Sequence, residues 1–168
     1  MKKVVVIGPE CTGKSSLTKA LGQHYNTAIV EECAREYIDH LERSYTQDDI
    51  LNIAKKQITL ENTAKKPQGD YLFCDTDLIV CKVWSEFKYG NCHPWILEQI
   101  QNRYYDYYLL CDIDLPWQED QQREHPNHRQ ELFDIYEGEL NKLNKPYSII
   151  RGQNRLESAI EILDYLNK

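Results

Sequence analysis

The chain alternates short apolar runs of β-forming residues with longer stretches whose apolar positions recur at helical spacing. KVVVIG (3–8) reads as a buried strand, and KSSLTKALGQH (14–24) sets Leu17, Ala20 and Leu21 on one helical face. TAIVEE (27–32) reads as a second strand, followed by a helix over about 33–43. Thr46 stands as an N-cap with Asp49 at the capping-box position, opening a helix that runs to about Lys65, ahead of Pro67 and Gly69. DYLFCD (70–75) is a third strand. Residues 76–90 predict a helix closing at Gly90, and another begins at His93–Pro94 and continues to about Tyr104. A fourth strand lies within YDYYLLCDID (105–114) and a fifth within PYSIIRG (146–152). The last helix starts near Asn154, with Leu156, Ile160, Leu163 and Leu166 as its core stripe.

Continuous apolar strands separated by helices predict a parallel sheet covered on both faces. Right-handed crossovers make this a three-layer α/β/α sandwich with a five-stranded sheet, read as a single domain over residues 1–168. Ligands are expected at the C-terminal ends of the strands. One stretch breaks the pattern. Residues 115–131, LPWQEDQQREHPNHRQE, are polar, carry Arg123 and Arg129, and suit a lid-like cover over a site. No element is read between it and the fifth strand.

Composition narrows the classes. The 168 residues are 41% hydrophobic and 28% charged, with 27 acidic against 20 basic residues and a net charge of −7. An acidic chain lacks the basic face that neutralises nucleic-acid phosphates, so no nucleic-acid partner is expected and an anion must be recognised locally. No run approaches the ~18 apolar residues of a membrane span. The N-terminus, MKKVVVIG, has no cleavage-site pattern. Six cysteines without C-x-x-C spacing read as free thiols, consistent with a cytoplasmic protein.

Within GPECTGKSS (8–16), Gly8, Gly13, Lys14 and Ser15 match G-x-x-x-x-G-K-[ST] without a gap. The glycines admit backbone angles that a Cβ forbids, successive N–H groups form an anion nest at a helix N-terminus, Lys14 meets the β- and γ-phosphates, and the Ser15 hydroxyl meets Mg²⁺. A strand before and a helix after are the context this mechanism demands. The pattern therefore predicts a P-loop nucleotide-binding fold, with ATP and Mg²⁺ as cofactors.

Phosphoryl transfer to a hydroxyl also needs carboxylates. Asp75 ends the third strand, with Asp77 two residues on; Glu31 and Glu32 end the second, with Arg35, Glu36 and Tyr37 one helical turn later. A helix-capping role for Asp75 and simple solvation of Glu31 and Glu32 are the structural alternatives. Arg123 and Arg129 would close over the transferring phosphoryl group. The histidine pairs (His93 beside Cys92, His125 with His128) lack the spacing of a structural zinc site. Trp84, Trp95 and Trp117 are candidates to stack on an aromatic base. A GTPase switch would need N-K-x-D, whereas NKLN (141–144) and NKPY (144–147) lack the aspartate. A motor ATPase usually places a second acidic residue after its Walker B aspartate and uses more chain, whereas Thr76 follows Asp75. What remains is a small-molecule kinase.

GPECTGKSSL, EECAREY, FCDTDLIVCKVW, the Tyr89–Gly90 and His93–Pro94 pairs, and YDYYLLCDIDLPWQEDQQR together resemble the ribosylnicotinamide kinase domain of NadR-type NAD-biosynthesis proteins, in order and over essentially the whole chain. The D-T-D and D-x-P-W strings are more specific than the phosphate loop. The resemblance implies ATP-dependent phosphorylation of the 5′-hydroxyl of nicotinamide riboside. It also implies that Gly8, Glu10, Cys11, Thr12, Gly13, Lys14, Ser15 and Ser16 bind the triphosphate, with Ser15 and Asp75 at the metal. Glu32, Arg35, Tyr37, Asp75 and Asp77 would face the acceptor, Arg123 and Arg129 would belong to the lid, and Arg151 and Arg155 of RGQNR would lie near adenine. Lys14, Asp75, Glu32 and Arg123 would carry the chemistry. Two alternatives stay open: a kinase for another nucleoside or small metabolite, and a regulatory protein that senses ATP and NAD metabolites without turnover. No G-x-x-x-x-x-H-x-G-H-like nucleotidyltransferase pattern is present, so synthesis of NAD from the mononucleotide is not expected. The sequence says nothing about oligomeric state.

Overall fold

The computed structural model describes residues 1–64 and 69–166. The strands are β1 (Lys2–Ile7), β2 (Ile29–Val30), β3 (Tyr71–Asp75), β4 (Tyr107–Cys111) and β5 (Tyr147–Ile150). The helices are α1 (Lys14–His24), α2 (Ala34–Asp39), α3 (Gln47–Thr63), α4 (Leu78–Tyr89), α5 (Pro94–Asn102), α6 (Arg129–Lys142) and α7 (Arg155–Tyr165). All strand pairings are parallel, in the order β2-β3-β1-β4-β5. The three-layer sandwich and its five parallel strands are as the sequence predicts.

The central strand is β1, and Val4 to Ile7 are all at most 1% exposed. The pleat sends alternate residues to opposite faces. Val4, Val6, Phe73, Leu109 and Ile150 pack on Leu17 and Leu21 of α1 and on Ala159 and Leu163 of α7. Val5, Ile7, Leu72, Cys74, Tyr108 and Leu110 meet α3, α4, α5 and α6 through Ile50, Ile53, Ile79, Val83, Ile96, Leu132 and Phe133. A strand buried on both faces can be apolar at every position, which is why β1 reads as a run and not an alternation.

The capping box that opens α3 is present, the Thr46 N–H donating to the Asp49 carboxylate at 2.7 Å. Arg43 and the Tyr37 hydroxyl also converge on Asp49, and the Arg43 guanidinium holds its carboxyl well below the usual range. The helix closes at Thr63. Lys65 and Pro67, invoked in the sequence for its end, lie outside the described residues. The six cysteines are free, with Cys33, Cys74, Cys81 and Cys111 buried. Among the described residues no helix is long and apolar enough to cross a membrane.

The structure departs from the sequence reading in extent more than in kind. The second strand shrinks to two residues and the helix after it to six. The larger difference is α6. Residues 129–131, read as the end of the polar excursion, begin a 14-residue helix whose Leu132, Phe133, Tyr136 and Leu140 are buried. The stripe is visible in ELFDIYEGEL, but Gly138 and the polar lead-in interrupt it.

Asp77 is also placed differently from expectation. It N-caps α4, accepting the Ile79 N–H at 3.0 Å, and takes the Tyr108 hydroxyl at 2.8 Å. It faces the core and not an acceptor, because the cap needs its side chain turned back over the first turn. Capping thus falls to Asp77, leaving Asp75 for another use. Burial pushes the Asp77 carboxyl up to about 6 from 3.8, against the Tyr108 hydrogen bond. Between those values the unfolded chain releases its proton while the folded one keeps it, so stability falls as pH rises, by roughly 3 kcal/mol at full extent. Asp77→Asn should flatten the slope of unfolding free energy between about pH 4 and pH 6, measured by urea titration; an unchanged slope refutes this assignment.

Candidate functional site

The C-terminal end of β1 runs into the phosphate loop, and the loop into α1. A Cβ on Gly8 would lie 2.7 Å from the Cys111 carbonyl oxygen, so β4 can approach only a glycine here. Gly13 takes φ +78 as the N-cap of α1 and offers no side-chain cap. Among the described residues the first α1 N–H to reach a loop carbonyl is that of Leu17, on Gly13 at 3.0 Å. An uncapped helix start with no acidic residue in its first turn is the arrangement that favours an anion. Within the loop the Pro9 carbonyl accepts the Thr12 hydroxyl at 2.8 Å and Lys14 Nζ at 2.7 Å.

Asp75 ends β3 opposite Val6 of β1, and the Thr76 N–H that follows it donates to the Val6 carbonyl at 3.0 Å. Asp75 is buried, and its Oδ1 has no hydrogen-bond partner among the described residues. Burial raises its pKa, while a hydrogen bond with Ser15 and the charge of Lys14 act the other way. Thr76 adopts φ +71, a left-handed conformation unusual for a β-branched residue. Glu32, just past β2, is half-buried. Its pKa is raised first by burial and also by Asp75, with Lys14 and Arg35 opposing. Lys14, Ser15, Asp75 and Glu32 therefore form one electrostatic group at the strand ends. Glu31 points elsewhere, pairing with Lys19 at 3.0 Å on the surface.

The 115–128 segment is tied to the phosphate loop and to α2. The Glu10 carboxylate accepts the N–H groups of Glu124 and His125 at 3.2 Å, and Cys11 Sγ accepts that of Gln118 at 3.2 Å. Arg35 binds both carboxylate oxygens of Asp120, at 2.9 and 3.0 Å, and Arg123 donates to the Gln118 carbonyl at 2.6 Å. Glu10 and Cys11, expected from the resemblance to bind the triphosphate, here attach the loop to the 115–128 segment through their side chains. Tyr37 is held by Asp49 and Asn52.

Two arginines expected at the nucleotide are engaged by the backbone instead. Arg155 is buried, and its guanidinium donates to the carbonyls of Thr12 (2.7 Å), Asp112 (3.0 Å) and Gly152 (3.1 Å) and pairs with Asp114. Arg129 donates to the carbonyls of Leu115 (2.9 Å) and Cys11 (3.0 Å). Each is the first residue of a helix, not a loop residue, which fixes where its fork can reach. Arg151 remains exposed, 3.3 Å from Asp112.

A residue without any motif also belongs to the site. Buried Gln57 of α3 accepts the Cys33 N–H at 3.0 Å and donates to the Glu31 carbonyl at 3.1 Å, bracketing Glu32 on both sides. Its only signal is its spacing on the inner face with Ile50, Ile53 and Glu61. His125 and His128 pack against Phe87, and no group of three or more potential metal ligands occurs among the described residues.

A family model for the AAA domain matches residues 3–156. The chain belongs to the AAA domain family. Among curated proteins, this AAA domain is 28% identical over 121 residues to the trifunctional NAD biosynthesis/regulator protein NadR of Salmonella typhimurium, and 27% identical to that of Escherichia coli. Each alignment covers 70% of this chain and 30% of the relative. A solved structure of NadR protein in complex with NR superimposes at TM-score 0.77 with 22% identity, covering 98% of this chain and 51% of that one. Deoxyadenosine kinase from M. mycoides superimposes at 0.67 with 14% identity, covering 98% of both chains. These likenesses establish a P-loop nucleoside-kinase fold.

Gln57→Leu should cost about 1–3 kcal/mol, because it leaves the Cys33 N–H and Glu31 carbonyl unpaired. Chemical denaturation checks it; wild-type stability in the variant contradicts the bracketing role.

Proposed function

We propose that the protein is an ATP- and Mg²⁺-dependent kinase that phosphorylates nicotinamide riboside at its 5′-hydroxyl, giving nicotinamide mononucleotide. The observation that carries the proposal is Asp75: a desolvated carboxylate with an unpartnered oxygen, beside the Ser15 hydroxyl and Lys14 at the mouth of the phosphate loop. That donor set fits Mg²⁺, which prefers oxygen ligands and shares its coordination with phosphates. The similarity to NadR over 70% of the chain supports the choice of riboside.

In this reading the N–H groups of the loop cradle the triphosphate, and Lys14 exchanges the Pro9 carbonyl for the β- and γ-phosphate oxygens. Ser15 and Asp75 would hold Mg²⁺, which would supply positive charge to the phosphate oxygens. Glu32 lies on the acceptor side with Arg35 and Tyr37 nearby. Burial raises its affinity for a proton, so its carboxylate takes the proton of the acceptor hydroxyl. The hydroxyl oxygen then bonds to the γ-phosphorus and the bond to the ADP oxygen breaks. Arg123, which donates to the Gln118 carbonyl, supplies positive charge to the equatorial oxygens. Arg151 is on the base side.

The superposition on deoxyadenosine kinase over the full length favours a second reading, a kinase for another nucleoside. Incubating the protein with Mg²⁺, ATP and a panel of nucleosides separates the two. Phosphorylation of nicotinamide riboside above the other nucleosides is expected; its absence sinks the first reading. Asp75→Asn should lower kcat by about 10²–10⁴-fold with little change in fold, the range for a group acting directly in the reaction. An Asp75→Asn variant with wild-type turnover contradicts the assigned role.

A further inference from the structure

We infer that Arg129 and Arg155 are positioning residues that set the direction of the phosphate-loop amides, and that Asp114 holds Arg155 in place for this. The inference rests on the reading of residues 8–16 as the phosphate-binding element, and it concerns how that element is kept in shape.

A peptide unit is planar and trans, so the carbonyl of one residue and the N–H of the next point in opposite directions. Fixing a carbonyl therefore fixes the following N–H. Arg129 takes the Cys11 carbonyl at 3.0 Å, which turns the Thr12 N–H the other way. Arg155 takes the Thr12 carbonyl at 2.7 Å, which does the same for Gly13. Cys11 sits at φ +57, a conformation that residues other than glycine populate little without support, and Gly13 follows at φ +78. Two consecutive peptides are thus braced from outside by two guanidinium groups.

Both braces stand on the same stretch of chain. Arg129 also donates to the Leu115 carbonyl, and Arg155 to the Asp112 carbonyl and the Asp114 carboxylate. Asp114 accepts the Gly152 N–H as well. The exit of β4 is therefore the common footing, and Arg155 further links the loop to the 151–154 turn through the Gly152 carbonyl. A planar fork is required, since one guanidinium reaches carbonyls from three separate segments; an ammonium cannot.

The sign of one substitution separates this role from general electrostatics. Asp114→Asn removes a negative charge close to an anion site, so charge alone makes phosphate bind more tightly. The positioning role makes it bind more weakly, because Arg155 loses its charged anchor. Binding of inorganic tripolyphosphate and of a non-hydrolysable ATP analogue should be measured for the wild type, Asp114→Asn, Arg155→Lys and Arg129→Lys, with melting curves for each. The expected result is affinity for both ligands lowered about tenfold or more in Asp114→Asn and Arg155→Lys, with the KM for the acceptor within about twofold of wild type. Loss for the ATP analogue but not for tripolyphosphate means contact with the base, and overturns the inference. Unchanged or tighter binding in Asp114→Asn overturns it too. Asp114 lies at the surface, so this variant carries the test if Arg155→Lys fails to fold. A wild type that binds both ligands but phosphorylates no nucleoside removes only the acceptor reading. A wild type that binds neither removes both.

Discussion

A polyanion can be held by backbone N–H groups only where the matching carbonyls are turned away and satisfied by something else. In this chain that constraint organises the middle of the sheet. The Pro9 carbonyl takes a hydroxyl and an ammonium from within the loop, and the carbonyls of Cys11 and Thr12 take Arg129 and Arg155. The arginines come from the first turns of α6 and α7, so the helices that follow β4 and β5 are set by the loop that follows β1. Gly8 makes the arrangement possible, since any side chain there pushes β4 away.

Charge is distributed to the same end. The chain carries seven more negative than positive residues, so no general field draws a phosphate in, and attraction has to come from groups within a few ångströms. Yet the strand ends also bring Asp75 and Glu32 close to Lys14. Burial makes both carboxylates hold protons more tightly, Asp75 adding to this for Glu32 and Glu31 for Asp75, and Lys14 offsets part of it. Acidic groups kept dry beside a single lysine are unfavourable for folding alone; the proposed chemistry supplies a reason for them, because such clusters gather where pKa values are tuned for reaction.

The sequence makes the frame legible because its signals are local. A strand buried on both faces is a run of β-branched residues, and the loop motif is contiguous; both survive being read one window at a time. What stays hidden is long-range. Asp75 and Asp77 look equivalent in FCDTD, but the left-handed turn at Thr76 and the capping requirement leave one at the end of β3 and send the other under Tyr108. Arg129 and Arg155 read as nucleotide-binding residues near a lid and a base, and only the fold shows each donating to a carbonyl over a hundred residues away in sequence. Gln57 carries no motif at all; its meaning lies in two backbone groups around Glu32.

The 115–128 segment follows from the same economy of contacts. It is tied to the loop through Glu10 and Cys11, to α2 through Asp120 with Arg35 and Gln122 with Asp39, and to α4 through Glu124 with Lys88. Most of these ties lie at the surface, where an ion pair contributes only about 0.2–1 kcal/mol. A segment held by many weak polar bonds in place of an apolar core has low local stability. Arg35 is one such attachment, its guanidinium on both carboxylate oxygens of Asp120. Because the same segment is tied to the 8–16 loop, to α2 and to α4, losing its contacts on one side weakens its hold on the others.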